Sequence, residues 1–329
     1  MYKKFLSLSL ISLLVVSAVF GCSKSNRYVK CEGMIWNTVW HITYKGPESL
    51  KDSILPVFNE IGHSLSVFEK NSLVSLLNDS LEIIADDNLI KVYDESKRIN
   101  KLSGGLFDPT VSPLVDAWGF GIGHTPSADT LAVDSILTFI GIDKTRKVGN
   151  KIVKDDIRTR FNFSAIAKGY GCDAVAQMLR RNGVCDYMVE IGGEIALSGI
   201  SPAGTLWHIA VDSPVEGSVP GEESALVLAL SDVGIATSGN YRNFRGEGAA
   251  KTAHTISPLS GRPYVSSILS ATVVAGDCML ADGLATACMA GEVSQALDLL
   301  KEADAEGLLI TSDSVFMSPG FSKYIVNKK

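Results

Sequence analysis

Tyr187-Met188-Val189-Glu190-Ile191-Gly192-Gly193-Glu194 opens the stretch whose reading decides the fold. Tyr187 to Ile191 has the β-branched and aromatic content of a strand, and Trp207 to Val211 and Leu226 to Leu230 repeat that character downstream. Turn-forming sequence separates these segments, including a Gly/Pro-rich polar loop from Asp212 to Ser224, and no helical pattern intervenes. Parallel strands need a long, usually helical crossover, whereas turns join antiparallel neighbours. Thr38-Val39-Trp40-His41-Ile42-Thr43-Tyr44 and Ala271 to Ala275 read as further strands. Helical periodicity covers Ser49 to Phe68, Asp87 to Leu102, Ala167 to Arg181 and Asp282 to Ala290. The expectation is an α+β fold: a single domain with largely antiparallel sheets flanked by helices, rather than a doubly wound parallel sheet.

The ends and the bulk composition narrow the setting. Lys3 and Lys4 precede an apolar run from Phe5 to Phe20, followed by Gly21-Cys22-Ser23. The run is a secretory signal, too short and wrongly flanked for a lasting membrane span. Gly21-Cys22 resembles a bacterial lipobox, although Phe20 is bulkier than that pattern usually takes; ordinary cleavage near Ala18 or Gly21 is the alternative. The expected organisation is a lipoprotein-type signal peptide over 1–21 and one domain over 22–329. The expected location is the periplasmic face of a membrane, with anchoring through lipid at Cys22. A formal net charge of -6, with no Lys/Arg-rich block, argues against nucleic acid as a partner. Cys31, Cys172, Cys185, Cys278 and Cys288 lack metal-finger spacing, so a zinc site is not expected; buried free thiols are the default, with one or two disulfides of unread connectivity the alternative in an oxidising compartment. A second polar loop, Gly119 to Thr130, reads as a surface excursion.

Four segments can carry chemistry. Ala281-Asp282-Gly283-Leu284-Ala285-Thr286-Ala287 sets a carboxylate and a hydroxyl four residues apart, on one face of a helix. Two such hard oxygens suit Mg2+, while an Asp near a helix start also suits a cap. Phe161 to Tyr170 passes from a strand into a helix through small residues, with Lys168 in the first turn, where phosphate is attracted. An ordinary turn with an exposed lysine is the alternative, and the glycine spacing of a Walker loop is missing. Gly104 to Gly121 combines glycines, prolines and aromatics, the makings of a rigid wall or of a packed turn. Ala236 to Arg242 and His254 to Pro263 are rich in hydroxyls and turn formers; His254 is a candidate general acid or base. Ser238 is not in a nucleophile-elbow setting.

In serial order these motifs resemble the ApbE family of FAD:protein FMN transferases, from about Glu32 to about Ala290. The resemblance rests on Gly105 through Gly121, Ile166 through Asp173, Gly192-Gly193-Glu194, Ala236 through Arg242, His254 through Pro263, and Ala281 through Ala287. It implies an ApbE-type, T-fold-like architecture with an FAD cleft between sheet layers. It implies Mg2+ held by Asp282, Thr286 and the Ala165 carbonyl, and a dinucleotide site formed by Trp36, Phe68, Leu106, Phe107, Asp108, Asn162, Lys168, Thr237, Ser238, His254, Thr255 and Ile256. The implied reaction moves FMN from FAD to a threonine hydroxyl of a membrane-associated flavoprotein subunit and releases AMP, with His254 taking the proton. A Mg2+-dependent FAD pyrophosphatase and a non-catalytic FAD-binding lipoprotein are the alternatives. The chain departs from the family pattern at Trp36-Asn37-Thr38, where Met-Gly-Thr is common, at Asn162, where aspartate is usual, and at Ala285, where some relatives are acidic.

Overall fold

The computed structural model describes residues 27–120, 130–212, 224–239, 244–245, 252–253 and 256–326. Strands β1 (Tyr28–Ile35) and β2 (Thr38–Lys45) lead through a short 3-10 turn into helices α1 (Ile54–Leu65) and α2 (Leu73–Asn78). Then come β3 (Glu82–Ile84), α3 (Asp87–Leu102), α4 (Ser112–Ala117), α5 (Thr130–Leu137), β4 (Thr145–Val148), β5 (Lys151–Lys154) and α6 (Ala167–Arg181). The next five strands are β6 (Tyr187–Ile191), β7 (Glu194–Ser198), β8 (Trp207–Asp212), β9 (Ser224–Leu230) and β10 (Val233–Gly239). The described chain continues with β11 (Phe244–Arg245), β12 (Thr252–Ala253), β13 (Ile268–Ala275), α7 (Cys278–Met289), α8 (Val293–Glu302), β14 (Glu306–Thr311) and β15 (Val315–Met317).

Eight strands form one sheet in the order β1-β2-β6-β7-β10-β13-β14-β15, and every neighbouring pair is antiparallel. This is the α+β arrangement that the turn-separated strands imply. Hairpin geometry follows from sequence: Gly192 and Gly193 both take positive φ (63° and 107°), which a two-residue turn between β6 and β7 requires. The β1–β2 turn uses Trp36 (φ 48°) and Asn37 (φ 62°), asparagine being the non-glycine residue that best tolerates this region. A three-stranded sheet, β3-β5-β4, stands apart from the large one.

Strand alternation divides the core into two sides. On one face of the large sheet, the β8–β9 hairpin lays Trp207, Val211, Leu228 and Leu230 over Ile195, Leu197, Ile235 and Val274. On the other face, Trp40, Ile42, Tyr44 and Val189 meet Phe58 of α1 and Val175 and Leu179 of α6. Ala236, Ala271 and Val273 meet Ala281, Leu284 and Ala285 of α7 on this same helical face, where α7 is buried almost all round. Among the described residues no helix is long and apolar enough to cross a membrane.

Two sequence expectations shift. Ala236 to Gly239 is not a turn but the end of β10, inside the large sheet; small residues there let α7 approach closely. Helix α7 begins four residues before Asp282, because Asp277 caps it (Leu280 N to Oδ1, 2.8 Å). Asp173 of α6 also accepts Cys278 N (3.0 Å) and Met279 N (2.8 Å), satisfying two further amides of the first turn. The signal segment and Cys22 lie outside the described residues. Cys31, Cys172, Cys185, Cys278 and Cys288 are free thiols.

Candidate active site

Since Asp277 supplies the cap, Asp282 has no capping duty, and its position in the second turn of α7 needs another reason. Its carboxylate is 3% exposed and accepts the backbone N–H of Gly169 at Oδ2 (3.0 Å). That approach depends on glycine: a Cβ on residue 169 would lie 2.4 Å from the Cys278 carbonyl oxygen and 2.8 Å from Asp282 Cβ. One turn along α7, Thr286 Oγ1 stands 3.4 Å from the Ala165 carbonyl oxygen and 3.5 Å from Ser238 Oγ. Helix α7 thus runs beside residues 165–169, with Asp282 at one end of the contact and Thr286 at the other. The structure brings together Asp282, Thr286, Ala165 and Ser238, which the sequence scatters over more than a hundred residues.

Lys168 sits one residue before Gly169. Its ammonium is 2.5 Å from Glu194 Oε2, an ion pair in which the carboxylate is 5% exposed. Burial works against the Lys168 charge, but Asp282 and Glu194 outweigh it and raise its pKa. Burial raises both carboxylates: for Asp282 the Lys168 ammonium and the Gly169 amide oppose the shift, and for Glu194 the Asp282 charge adds to it. Lys168 therefore acts inside the protein as the counter-charge of two buried acids. The role of Glu194 is the part that sequence reading missed. Its signal was the Gly192-Gly193-Glu194 turn, which starts β7 with an acid aimed at α6.

The remaining residues are distributed around this centre. Asn162 Oδ1 accepts Ser164 N (3.0 Å) and Ser164 Oγ (2.6 Å), shaping the turn that ends in Ala165. An amide oxygen does this as well as the family's usual aspartate. Asn162 N in turn donates to Pro109 O (2.8 Å), joining that turn to the 105–110 loop. In that loop Asp108 is fully engaged: Oδ1 takes Thr110 N (2.8 Å) and Thr110 Oγ1 (2.6 Å), and Oδ2 takes Ile142 N (3.0 Å). Burial raises its pKa against those hydrogen bonds. Leu106 lies against Gly291, just past the C-terminal end of α7. Trp36 packs edge-on against Phe58 (5.6 Å) and over Gly171, one turn along α6 from Lys168.

Others do not converge. Thr237 alternates to the opposite face of the sheet from Ser238 and bonds Thr272 Oγ1 (2.9 Å), so its side chain does not join the cluster. Phe107 is 2% exposed and belongs to the main core. Phe68 is 73% exposed just beyond α1, and Ile256 is buried with Leu114, Val133 and Ile140. His254 and Thr255 lie outside the described residues.

The gathered groups lie between the large sheet and the segment that leaves the three-stranded sheet, with α7 forming part of one wall. A cavity of about 500 Å³ opens beside Asp108, lined also by Asn100, Gly105, Gly141, Lys144 and Leu259. A second, of about 360 Å³, lies behind the first turn of α7 at Asp173 and Asp277. Neither reaches Asp282 or Thr286, so cavity size alone does not mark the centre; the convergence of oxygens does. Among the described residues no three His, Cys, Asp or Glu side chains cluster as a metal site. Any cation here would draw on one carboxylate, a hydroxyl and a carbonyl.

Comparison with known proteins identifies the family and the fold. The model of the ApbE family matches residues 36–309. The FAD:protein FMN transferase of Vibrio cholerae is 35% identical over 293 residues, spanning 85% of this chain and 86% of that protein. Its namesake in Haemophilus influenzae is 31% identical over 345 residues, spanning 98% and 97%. The solved flavin transferase ApbE from Vibrio cholerae superposes with a TM-score of 0.81 at 31% identity, covering 91% of this chain and 99% of that one. The apo flavinyl transferase ApbE of Pseudomonas stutzeri, at 24% identity and a TM-score of 0.82, shares the fold over 91% and 96%.

Proposed function

This chain belongs to the ApbE family, and on that footing we propose that it transfers FMN from FAD to a threonine hydroxyl of an acceptor flavoprotein, releasing AMP, with Mg2+ bound by Asp282, Thr286 and the Ala165 carbonyl. The observation that carries the proposal is the placement of Thr286 Oγ1 3.4 Å from Ala165 O while Asp282, one turn away, is tied to Gly169 N. The donor set fits the ion: all three are hard oxygens, and two neighbouring oxygen ligands of Mg2+ stand about 3 Å apart when each is about 2.1 Å from it. A hydroxyl–carbonyl separation of 3.4 Å is long for an ordinary O–H···O bond and close to that spacing. When bound, Mg2+ supplies charge neutralisation at the FAD diphosphate as negative charge builds on departing AMP.

The chain's own residues prepare the reaction. The Lys168 ammonium opposes the upward pull of burial on the Asp282 carboxyl, and its ion pair with Glu194 fixes Lys168 in place. Asn162 and Asp108 set the turn and loop that face the substrate, and the cavity beside Asp108 offers room for one arm of the dinucleotide. The acceptor hydroxyl oxygen attacks the FMN-side phosphorus, the bond to the AMP phosphate oxygen breaks, and the hydroxyl proton passes to His254. Export as a lipoprotein, lipidated at Cys22, belongs to the same proposal and rests on the leader sequence.

Intact-mass spectrometry of an acceptor domain incubated with FAD, Mg2+ and the enzyme tests the reaction. The expected result is one covalent FMN per acceptor, lost when the acceptor threonine becomes alanine or when Mg2+ is chelated. Release of FMN and AMP with an unmodified acceptor would instead establish a pyrophosphatase. For the anchor, Cys22→Ala should move the protein from the membrane fraction to the soluble one.

A further inference from the structure

The turn that presents the Ala165 carbonyl is gripped from behind by two buried polar side chains that no sequence motif singles out. Asn78, 5% exposed at the end of α2, donates Nδ2 to Phe161 O (2.9 Å) and accepts Phe161 N at Oδ1 (2.7 Å). One amide side chain thereby satisfies both backbone groups of Phe161, as a neighbouring strand would. Lys154, 2% exposed at the end of β5, donates Nζ to Thr159 O (2.8 Å), Asn78 O (3.2 Å) and Ile157 O (3.2 Å). Its ammonium ties the loop after β5 to the end of α2. Beyond Phe161 the restraint passes along the chain: Phe163 stacks on Phe161 (5.4 Å), and Ile166 N and Ala167 N both donate to Phe163 O (3.0 and 2.8 Å). Ala165 lies within that last turn.

We propose that Asn78 and Lys154 are positioning residues for flavin transfer: together they fix the path of residues 157–163 and so hold the Ala165 carbonyl opposite Thr286. The proposal rests on the metal-site reading above and adds residues that touch neither metal nor substrate. A buried lysine is an unusual choice for a purely apolar packing duty, because its charge is costly to desolvate. Three converging carbonyls explain its retention, since –NH3+ has three donors and a neutral amine only two. Burial, with Arg160, lowers the Lys154 pKa to about 8, while Asp79 and Asp156 act in the opposite direction. The grip is complete below that pH and short of one donor above it.

The test uses the full chain with Lys154→Met, which keeps the stem and removes every donor, and Asn78→Asp, which removes the donor to Phe161 O. Hydrogen exchange read by mass spectrometry should show residues 158–167 exchanging about tenfold faster, with residues 306–317 unchanged. The Mg2+ concentration for half-maximal transfer should rise about tenfold, the usual scale for groups that orient a metal ligand. Unchanged exchange in 158–167, or a half-saturation within twofold of wild type, overturns the proposal. A wild-type enzyme indifferent to Mg2+ would sink the metal-site reading instead, and the exchange data would still judge the grip. Should both variants fail to fold, wild-type exchange at pH 7 and pH 9, corrected for intrinsic rates, decides. Protection of 158–167 should fall relative to 306–317 at the higher pH, and an equal change in both segments overturns the proposal.

Discussion

Gly169→Ala probes the contact between α7 and the 165–169 segment with a single methyl group. The added Cβ would lie 2.4 Å from the Cys278 carbonyl oxygen and 2.8 Å from Asp282 Cβ. Ordinary contact begins near 3.4 Å, so the first clash demands that the backbone segments part by about 1 Å. Neither neighbour is the free end of a flexible side chain, and Gly169 N is itself bonded to Asp282, so relaxation must move helix against helix. Overpacking of this kind costs about 1–3 kcal/mol, or roughly 2–5 °C in Tm for a domain of this size. The same 1 Å shift separates Thr286 from Ala165, and misplacement on that scale lowers turnover about a hundredfold. Scanning fluorimetry and the Mg2+ dependence of FMN transfer read the two effects. Gly276→Ala is the control, having nothing within 4 Å of its added Cβ and an ordinary φ, and it should change Tm by no more than about 1 °C. If Gly169→Ala matched that control in both stability and transfer, the close approach described here would be wrong.

Asp282→Asn should leave Tm equal or higher, because burial already disfavours the carboxylate charge, while transfer falls on the order of a hundredfold or more; equal losses in both would mark a merely structural acid. Burial and Asp277 raise Asp173 to about 7, so the folded state holds a proton that the unfolded chain releases near the ordinary carboxylate range. That stabilisation is full below about pH 4 and is lost as pH rises through 7. Wild-type Tm should therefore fall between pH 5 and pH 8, and Asp173→Asn should flatten the decline; parallel curves would refute the assignment. At the β1–β2 turn, Asn37→Gly should be neutral or stabilising and Asn37→Ala should cost about 1–2 kcal/mol, because φ is 62° there. Identical Tm values for the two variants would argue against the left-handed turn.

The fold was legible wherever local signals agreed. Tyr187–Ile191, Asp87–Leu102 and Ala167–Arg181 take the bounds that their patterns imply, since period and composition coincide, with Asp86 capping the start of α3. The end of β10 was not legible: Ala236-Thr237-Ser238-Gly239 has turn composition, and only its sheet partners and the overlying helix make it a strand. The start of α7 was obscured because two of the three first-turn amides held by side chains bond Asp173, more than a hundred residues away in sequence. Within the site, spacing exposed the Asp282–Thr286 pair, and resemblance supplied Ala165. Spacing could not reveal that Lys168 turns to Glu194 or that Thr237 faces away, because both depend on which strands pair. Asn78 and Lys154 left no local trace, since their partners are backbone groups that any residue provides.

Anomalous diffraction from crystals grown with FAD and Mn2+ in place of Mg2+ bears most directly on the centre described here. A single strong peak should lie within about 2.3 Å of Asp282 Oδ, Thr286 Oγ1 and the Ala165 carbonyl oxygen, adjoining the diphosphate. A peak elsewhere, or a diphosphate seated with no cation between α7 and the Ala165 turn, would contradict it.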